Sequence, residues 1–189
     1  MYFFSTKHLK TGFTLLEILI AVSVIGIISA VIAEVFYTTT KTNAKTEIIK
    51  DVKQNGEFAI DVMTRFLMNA AGVESDCPAP DTQLSSINIV GSDNNVTRLE
   101  CLYDSGVGVT RIASTSATTG SSAYLTSSNV TLGGGSCADI NNTLTFICTK
   151  YSDQPAKISI RFSLAQAGVA VDQFEKGSVH FETTVALRN

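Results

Sequence analysis

Charge is scarce in this chain. Asp, Glu, Lys and Arg make up 16% of its 189 residues, and the balance is slightly acidic, with a formal net charge of -3. A nucleic-acid binder normally carries a basic field, so no specific nucleic-acid partner is expected. Histidine is scarcer still, with only His8 and His180. No CxxC pair occurs, so the two closely spaced ligand pairs of a structural zinc site are missing, and no metal or other cofactor is expected. There is no GxSxG. Gly106-Val107-Gly108 does not extend to a dinucleotide fingerprint, and no phosphate-loop lysine follows Gly133-Gly134-Gly135. A Ser-His-Asp site would have to use His180, which alternates with Val179 and Phe181 and is expected to face solvent. No catalytic residue is nominated, and the chain is read as a non-enzyme.

Four cysteines are present, Cys77, Cys101, Cys137 and Cys148. An even count downstream of an apolar segment reads as disulfides in an oxidising compartment, with free buried thiols as the other reading. Three pairings are open. The expectation is neighbour pairing, Cys77 with Cys101 and Cys137 with Cys148.

The apolar residues are unevenly spread. After a short start containing Lys7, His8 and Lys10 comes a run from Phe13 to Phe36, without charge between Ile18 and Ala33. A helix that spans a bilayer needs roughly twenty such residues at about 1.5 Å each. An ordinary secretory signal would explain a basic start, an apolar run and the small residues Ala30 and Ala33. A plain anchor would explain the run alone. Neither explains Glu17, an acid inside the start of the run. An acid at a helix centre costs about 2.5–3.5 kcal/mol on insertion scales. Glu17 lies only about 6 Å of helix rise beyond Phe13, so its carboxylate can reach the interface. Lys7 and Lys10 before the span are balanced by Lys41, Lys45, Lys50 and Lys53 after it, so charge counting does not orient the helix.

The six residues Gly12-Phe13-Thr14-Leu15-Leu16-Glu17 resemble the processing site of type IV prepilins. The pattern there is a glycine, a hydrophobic residue that becomes the new N-terminus, and a glutamate four residues later. The resemblance implies cleavage between Gly12 and Phe13 by a prepilin peptidase on the cytoplasmic face, and N-methylation of Phe13. It also implies that Glu17 neutralises the N-terminal amine of a neighbouring subunit during assembly. An unpaired partner in low dielectric stays costly, which makes such pairing selective. Implied partners are other pilin subunits, minor and major, the inner membrane and the pilus assembly platform. The implied location is the bacterial inner membrane, single-pass, with the C-terminal part in the periplasm and later at the pilus or cell surface.

Beyond the run, apolar residues recur at helical spacing: Ile48, Ile49, Val52, Ala59, Ile60, Val62, Met63, Phe66, Leu67 and Ala70. Gly72 reads as the stop. A helix from Phe13 to Ala71 would be roughly 90 Å long. Gly26 and Gly56 are candidate flexible or close-packing points. No proline follows Gly26, where major pilins often carry one, which favours a minor pilin or a pseudopilin. The segment Gly56–Gly72 and the ending Thr183–Asn189 resemble PilW-type minor pilins.

From Cys77 onward alternation replaces helical spacing. Lys157–Leu164, Val179–Leu187 and Thr143–Thr149 each put apolar residues on one face, and weaker strands are expected at Ser86–Val90, Thr97–Tyr103 and Val107–Ala113. Ser114–Ser128 reads as a long surface loop or edge region. The expected fold is α+β and pilin-like, a long N-terminal helix packed on an antiparallel sheet that buries one face. The expected division is a leader at 1–12, a transmembrane helix at 13–36, its amphipathic continuation at 37–72 and a β-rich domain at 73–189. The reading that follows is a structural minor pilin. Its rivals are a J-type pseudopilin of type II secretion and an adhesin or DNA-uptake pilin subunit.

Overall fold

The structure, a computed structural model, describes residues 12–74, 82–138, 143–149, 155–168 and 177–187. Among the described residues there is a single helix, α1, over Leu15–Met68. Ten strands follow among the described residues: β1 Ala70–Val73, β2 Thr82–Leu84, β3 Ser86–Gly91, β4 Val96–Asp104, β5 Val109–Ser116, β6 Ser122–Tyr124, β7 Val130–Thr131, β8 Thr145–Thr149, β9 Lys157–Gln166 and β10 Ser178–Ala186. The chain divides into two compact units, Met1–Asn43 and Ala44–Asn189.

In the first unit the described residues form the N-terminal part of α1. Every residue from Gly12 to Thr40 is exposed, including the whole apolar run. The helix is long and apolar enough to cross a membrane, with a mean hydropathy of 2.7 over its most apolar window. Lipid is the solvent in which a helix apolar on every side is stable. Near the polar end of the run, the hydroxyls of Thr38, Thr39, Thr40 and Thr42 donate to the carbonyls of Glu34, Val35, Phe36 and Thr38. Each β-branched residue thereby satisfies its own polar group inside the helix.

The second unit contains the rest of α1 and all ten strands. Val52, Gly56, Ala59, Met63 and Leu67 are buried, a stripe at spacings of three and four. Two residues of the expected apolar face, Ile49 and Phe66, are 37% and 36% exposed and lie at its margins. On the polar side Arg65 pairs with Asp61 at 2.9 Å and Lys53 with Glu57 at 3.6 Å, both four residues apart. Such exposed pairs contribute only about 0.3–0.5 kcal/mol each.

The helix ends earlier than its apolar spacing indicates. It stops at Met68 rather than Gly72, because Ala70–Val73 forms β1 and pairs with β3 through Ala70–Gly91, Gly72–Val90 and Val73–Ile89. The sheet ladder takes the backbone groups that another helical turn would have used. At the other end, α1 begins at Leu15 rather than Phe13.

The strands form two five-stranded sheets rather than one. The first has the order β1-β3-β4-β5-β6. The second has the order β10-β9-β8-β2, with β7 also paired to β9. All described pairings are antiparallel. The alternation in the sequence is the alternation of burial. Ile158, Ile160, Phe162 and Leu164 of β9 are fully buried, as are Ile87 of β3, Leu99 of β4, Ile112 of β5 and Phe146 of β8. These residues share one core with the buried stripe of α1.

Of the two readings of Ser114–Ser128, the edge region agrees with the structure and the long loop does not, since β6 is the end strand of the first sheet. β5 continues to Ser116, β6 takes Ser122–Tyr124, and Leu125 and Thr126 are buried. The Thr126 hydroxyl accepts the Ile112 N–H at 3.2 Å, and Arg111 donates to the Thr126 carbonyl and the Asp104 carboxylate. Next to it the side-chain Oδ1 of Asn55 on α1 accepts the Ser127 N–H at 2.9 Å. A segment rich in Ser and Thr is thus held by specific hydrogen bonds that its composition does not reveal.

Cys101 pairs with Cys137, 36 positions along the chain, with Cα atoms 5.6 Å apart. This overturns both neighbour pairings. The bond ties β4 to the turn after β7, and closing so long a loop restrains the unfolded chain. Cys148 is also disulfide-bonded, which excludes the free-thiol reading for it. Cys77 lies outside the described residues.

Gly56 is a close-packing point. A Cβ there would overlap the ring of Phe181 on β10. The Phe181 ring also stacks on Phe162, with centroids 5.1 Å apart. Gly26, by contrast, has open space where a Cβ would stand.

Candidate functional site

The residues nominated for processing sit together at the start of α1. Gly12, Phe13 and Thr14 precede the helix in non-helical backbone. Phe13 is 78% exposed and Gly12 has no atom within 4 Å of a Cβ position, so the Gly12–Phe13 peptide bond is open to an approaching protein. Leu15 is the first helical residue.

Thr14 caps this helix. The Glu17 N–H lies 3.3 Å from the Thr14 hydroxyl oxygen and 3.1 Å from the Thr14 carbonyl, and the Ile18 N–H donates to the same carbonyl at 3.3 Å. The first N–H groups of a helix have no partner within it, and a threonine hydroxyl at the cap satisfies one of them. The signal was present in the sequence as Thr14-Leu15-Leu16-Glu17, the Thr-x-x-Glu of a capping box before an apolar run. The processing reading weighed Glu17 and passed over Thr14.

Glu17 lies in the first helical turn, where the helix dipole favours a negative group. Its side chain is exposed, and among the described residues it has no ion-pair partner. A carboxylate at the edge of an apolar run, with its backbone N–H already capped, is available to a cation from elsewhere.

The disulfide cysteines belong to the second unit and serve its core. His180 is exposed on β10, as its alternation indicates. Its Nδ1 lies 3.1 Å from the Ser163 hydroxyl on β9. The pair is one rung of a polar ladder, with Arg161–Glu182 at 2.7 Å and Ser159–Thr184 at 2.7 Å as the next rungs. Among the described residues no carboxylate holds the other ring nitrogen, as the base of a Ser-His-Asp site would require. Among the described residues, Asp93 is the acid with a displaced titration. The side-chain amide and backbone N–H of Asn95 donate to it and hold its carboxyl below the usual range, as in a local turn. Among the described residues no three His, Cys, Asp or Glu side chains gather into a metal-binding group.

Residues 7–33 match the prokaryotic N-terminal methylation motif. The match covers the basic start, the Gly12–Phe13 bond, Glu17 and the uncharged run. It supports a type IV pilin-like precursor anchored by its N-terminal helix, and it points to a structural subunit. The α+β layout, a long apolar helix followed by antiparallel sheets, is consistent with the type IV pilin fold. No curated protein and no solved structure matches the chain.

Proposed function

We propose that this chain is a minor pilin of a type IV pilus. It is cut between Gly12 and Phe13 by a prepilin peptidase, methylated on the Phe13 amine, and assembled with other pilins. The observation that carries this reading is the coincidence of the matched motif with a Glu17 that has no ion-pair partner among the described residues, at the head of an apolar helix. Cleavage creates the cation that Glu17 lacks. An amine and a carboxylate that are each costly alone in low dielectric become acceptable as a pair, so docking a new subunit is coupled to neutralising both charges. The β-rich second unit, the head, lies in the periplasm before assembly and on the filament afterwards.

A second reading, a J-type pseudopilin of type II secretion, draws on the same motif and on the absence of a proline after Gly26. The two readings part at the filament, so the test is made there. Full-length chain with Glu17→Ala is expected to be cut normally but to be depleted at least tenfold from sheared surface pili. Equal incorporation of the variant would remove the role given to Glu17. Absence of the unaltered, processed chain from pili, with secretion impaired when it is deleted, would favour the pseudopilin.

A further inference from the structure

Three stretches of the chain match the acceptor pattern for asparagine-linked glycosylation: Asn95-Val96-Thr97, Asn129-Val130-Thr131 and Asn141-Asn142-Thr143. A transferase needs an accessible amide nitrogen and, two residues later, a hydroxyl free to dock. Folding has committed two of the three hydroxyls. The Thr131 hydroxyl shares a hydrogen bond with the Thr110 hydroxyl at 3.0 Å and accepts the Gly133 N–H at 3.2 Å, and Val130 before it is buried. The Thr143 hydroxyl donates to the Ser163 carbonyl at 2.9 Å and accepts the Ser163 N–H at 2.7 Å. Asn141 and Asn142 lie outside the described residues.

The first stretch is different. Asn95 is exposed in the turn between β3 and β4. Among the described residues nothing hydrogen-bonds the Thr97 hydroxyl, and its oxygen is not buried. Thr97 is the second residue of β4, so extending this stretch into a transferase opens only the rungs Val90–Val96, Ile89–Thr97 and Thr97–Ser116. Strand ends are where a sheet opens most readily. The Asn95 amide is also held in place. Its Nδ2 donates to Asp93 Oδ2 at 2.6 Å, and its Oδ1 accepts the Thr118 hydroxyl at 3.4 Å. An amide N–H that donates to a carboxylate is polarised toward loss of its proton, which eases the step an amide nitrogen resists.

We propose that Asn95 is a glycosylation acceptor, with a sugar carried on a lipid diphosphate as the co-substrate. The Asn95 Nδ2 forms a bond to the anomeric carbon as the bond from that carbon to the phosphate oxygen breaks. The lipid diphosphate leaves with the electron pair, and the amide proton passes to a base of the transferase. Nothing is oxidised or reduced. The proposal rests on the location given above, in which the β-rich unit leaves the cytoplasm. The Cys101–Cys137 bond supports that location independently of the N-terminal motif. A bulky, solubilising group fits an exposed turn and leaves the core untouched.

The test uses the full-length chain purified from its native host, reduced, digested with trypsin and read by mass spectrometry over the peptide 66–98, which ends just beyond Thr97. The expected result is a sugar mass on Asn95. Thr97→Val keeps a β-branched residue in the strand and removes only the hydroxyl. It is expected to lower the glycosylated fraction at least tenfold, whereas Thr97→Ser keeps most of it. Asn129→Gln is expected to leave the total sugar unchanged. Should Thr97→Val fail to form the Cys101–Cys137 bond, Asn95→Gln in the exposed turn replaces it, with loss of the sugar expected. No sugar on Asn95, a sugar that survives these variants, or equal occupancy at Asn129 would overturn the proposal. A chain that begins at Phe13 without a sugar contradicts this inference alone. A glycosylated chain that still begins at Met1 contradicts the pilin reading alone.

Discussion

The two parts of α1 use the same kinds of residue for opposite ends. Ile18, Val24, Ile28 and Val31 are 49–56% exposed, while Val52, Ala59, Met63 and Leu67 are 0–1% exposed. Burying one large apolar side chain is worth about 1.5–3 kcal/mol. The second set gains this from the sheets around it, because its polar neighbours leave a single stripe to cover. The first set has apolar residues on every side, and no single protein face can cover them all. Hydrophobic content therefore says that a segment leaves water, and its period says whether protein or lipid receives it.

This contrast can be broken most severely at the cleavage site. Replacing Gly12 with Leu is expected to abolish leader removal while the head keeps its Cys101–Cys137 bond, as read by intact mass with and without reduction. The second largest effect belongs to the core. Phe162→Ala is expected to destabilise the head by about 3–5 kcal/mol and leave cleavage unchanged. Thermal melting of the full chain in detergent, alongside its N-terminal residue, would show this. Gly56→Ala forces a methyl into the Phe181 ring. Overpacking of about 1–3 kcal/mol, offset by about 1 kcal/mol of helix propensity, leaves an expected loss of up to about 2 kcal/mol in the same melting measurement. Phe181→Leu is expected to relieve part of that loss, whereas Gly26→Ala in the first unit should cost nothing. The smallest effect is at the cap. Thr14→Ala is expected to loosen the first turn by about 1 kcal/mol or less, seen as faster amide exchange at Glu17, with the head unaffected.

Much of this was legible in the sequence. The apolar run, the stripe Val52–Leu67 and the strands β3, β4, β8, β9 and β10 each carry enough residues for a period to show. β1, β2, β6 and β7 have two to four residues each, too few to alternate, and they lie at the ends of the two sheets or, for β7, beside β9. The helix stop failed for a related reason. Ala70, Ala71 and Gly72 look like a fraying helix end until β3 is there to pair with them. The Cys101–Cys137 bond depends on where the chain returns after 36 residues, which spacing alone does not encode. At the processing site the legible residues were those whose chemistry is local, Gly12, Phe13 and Glu17. Thr14 was equally local, and it was missed because its role is to cap a backbone rather than to carry a charge.

The central claim is that Phe13 becomes the first residue of the working protein. Mass spectrometry of the chain purified from its native host tests it directly. The account predicts a mature protein that begins at Phe13 with a methylated amine. A chain that still begins at Met1, or one that begins near Glu34 after an ordinary signal cut, would contradict it.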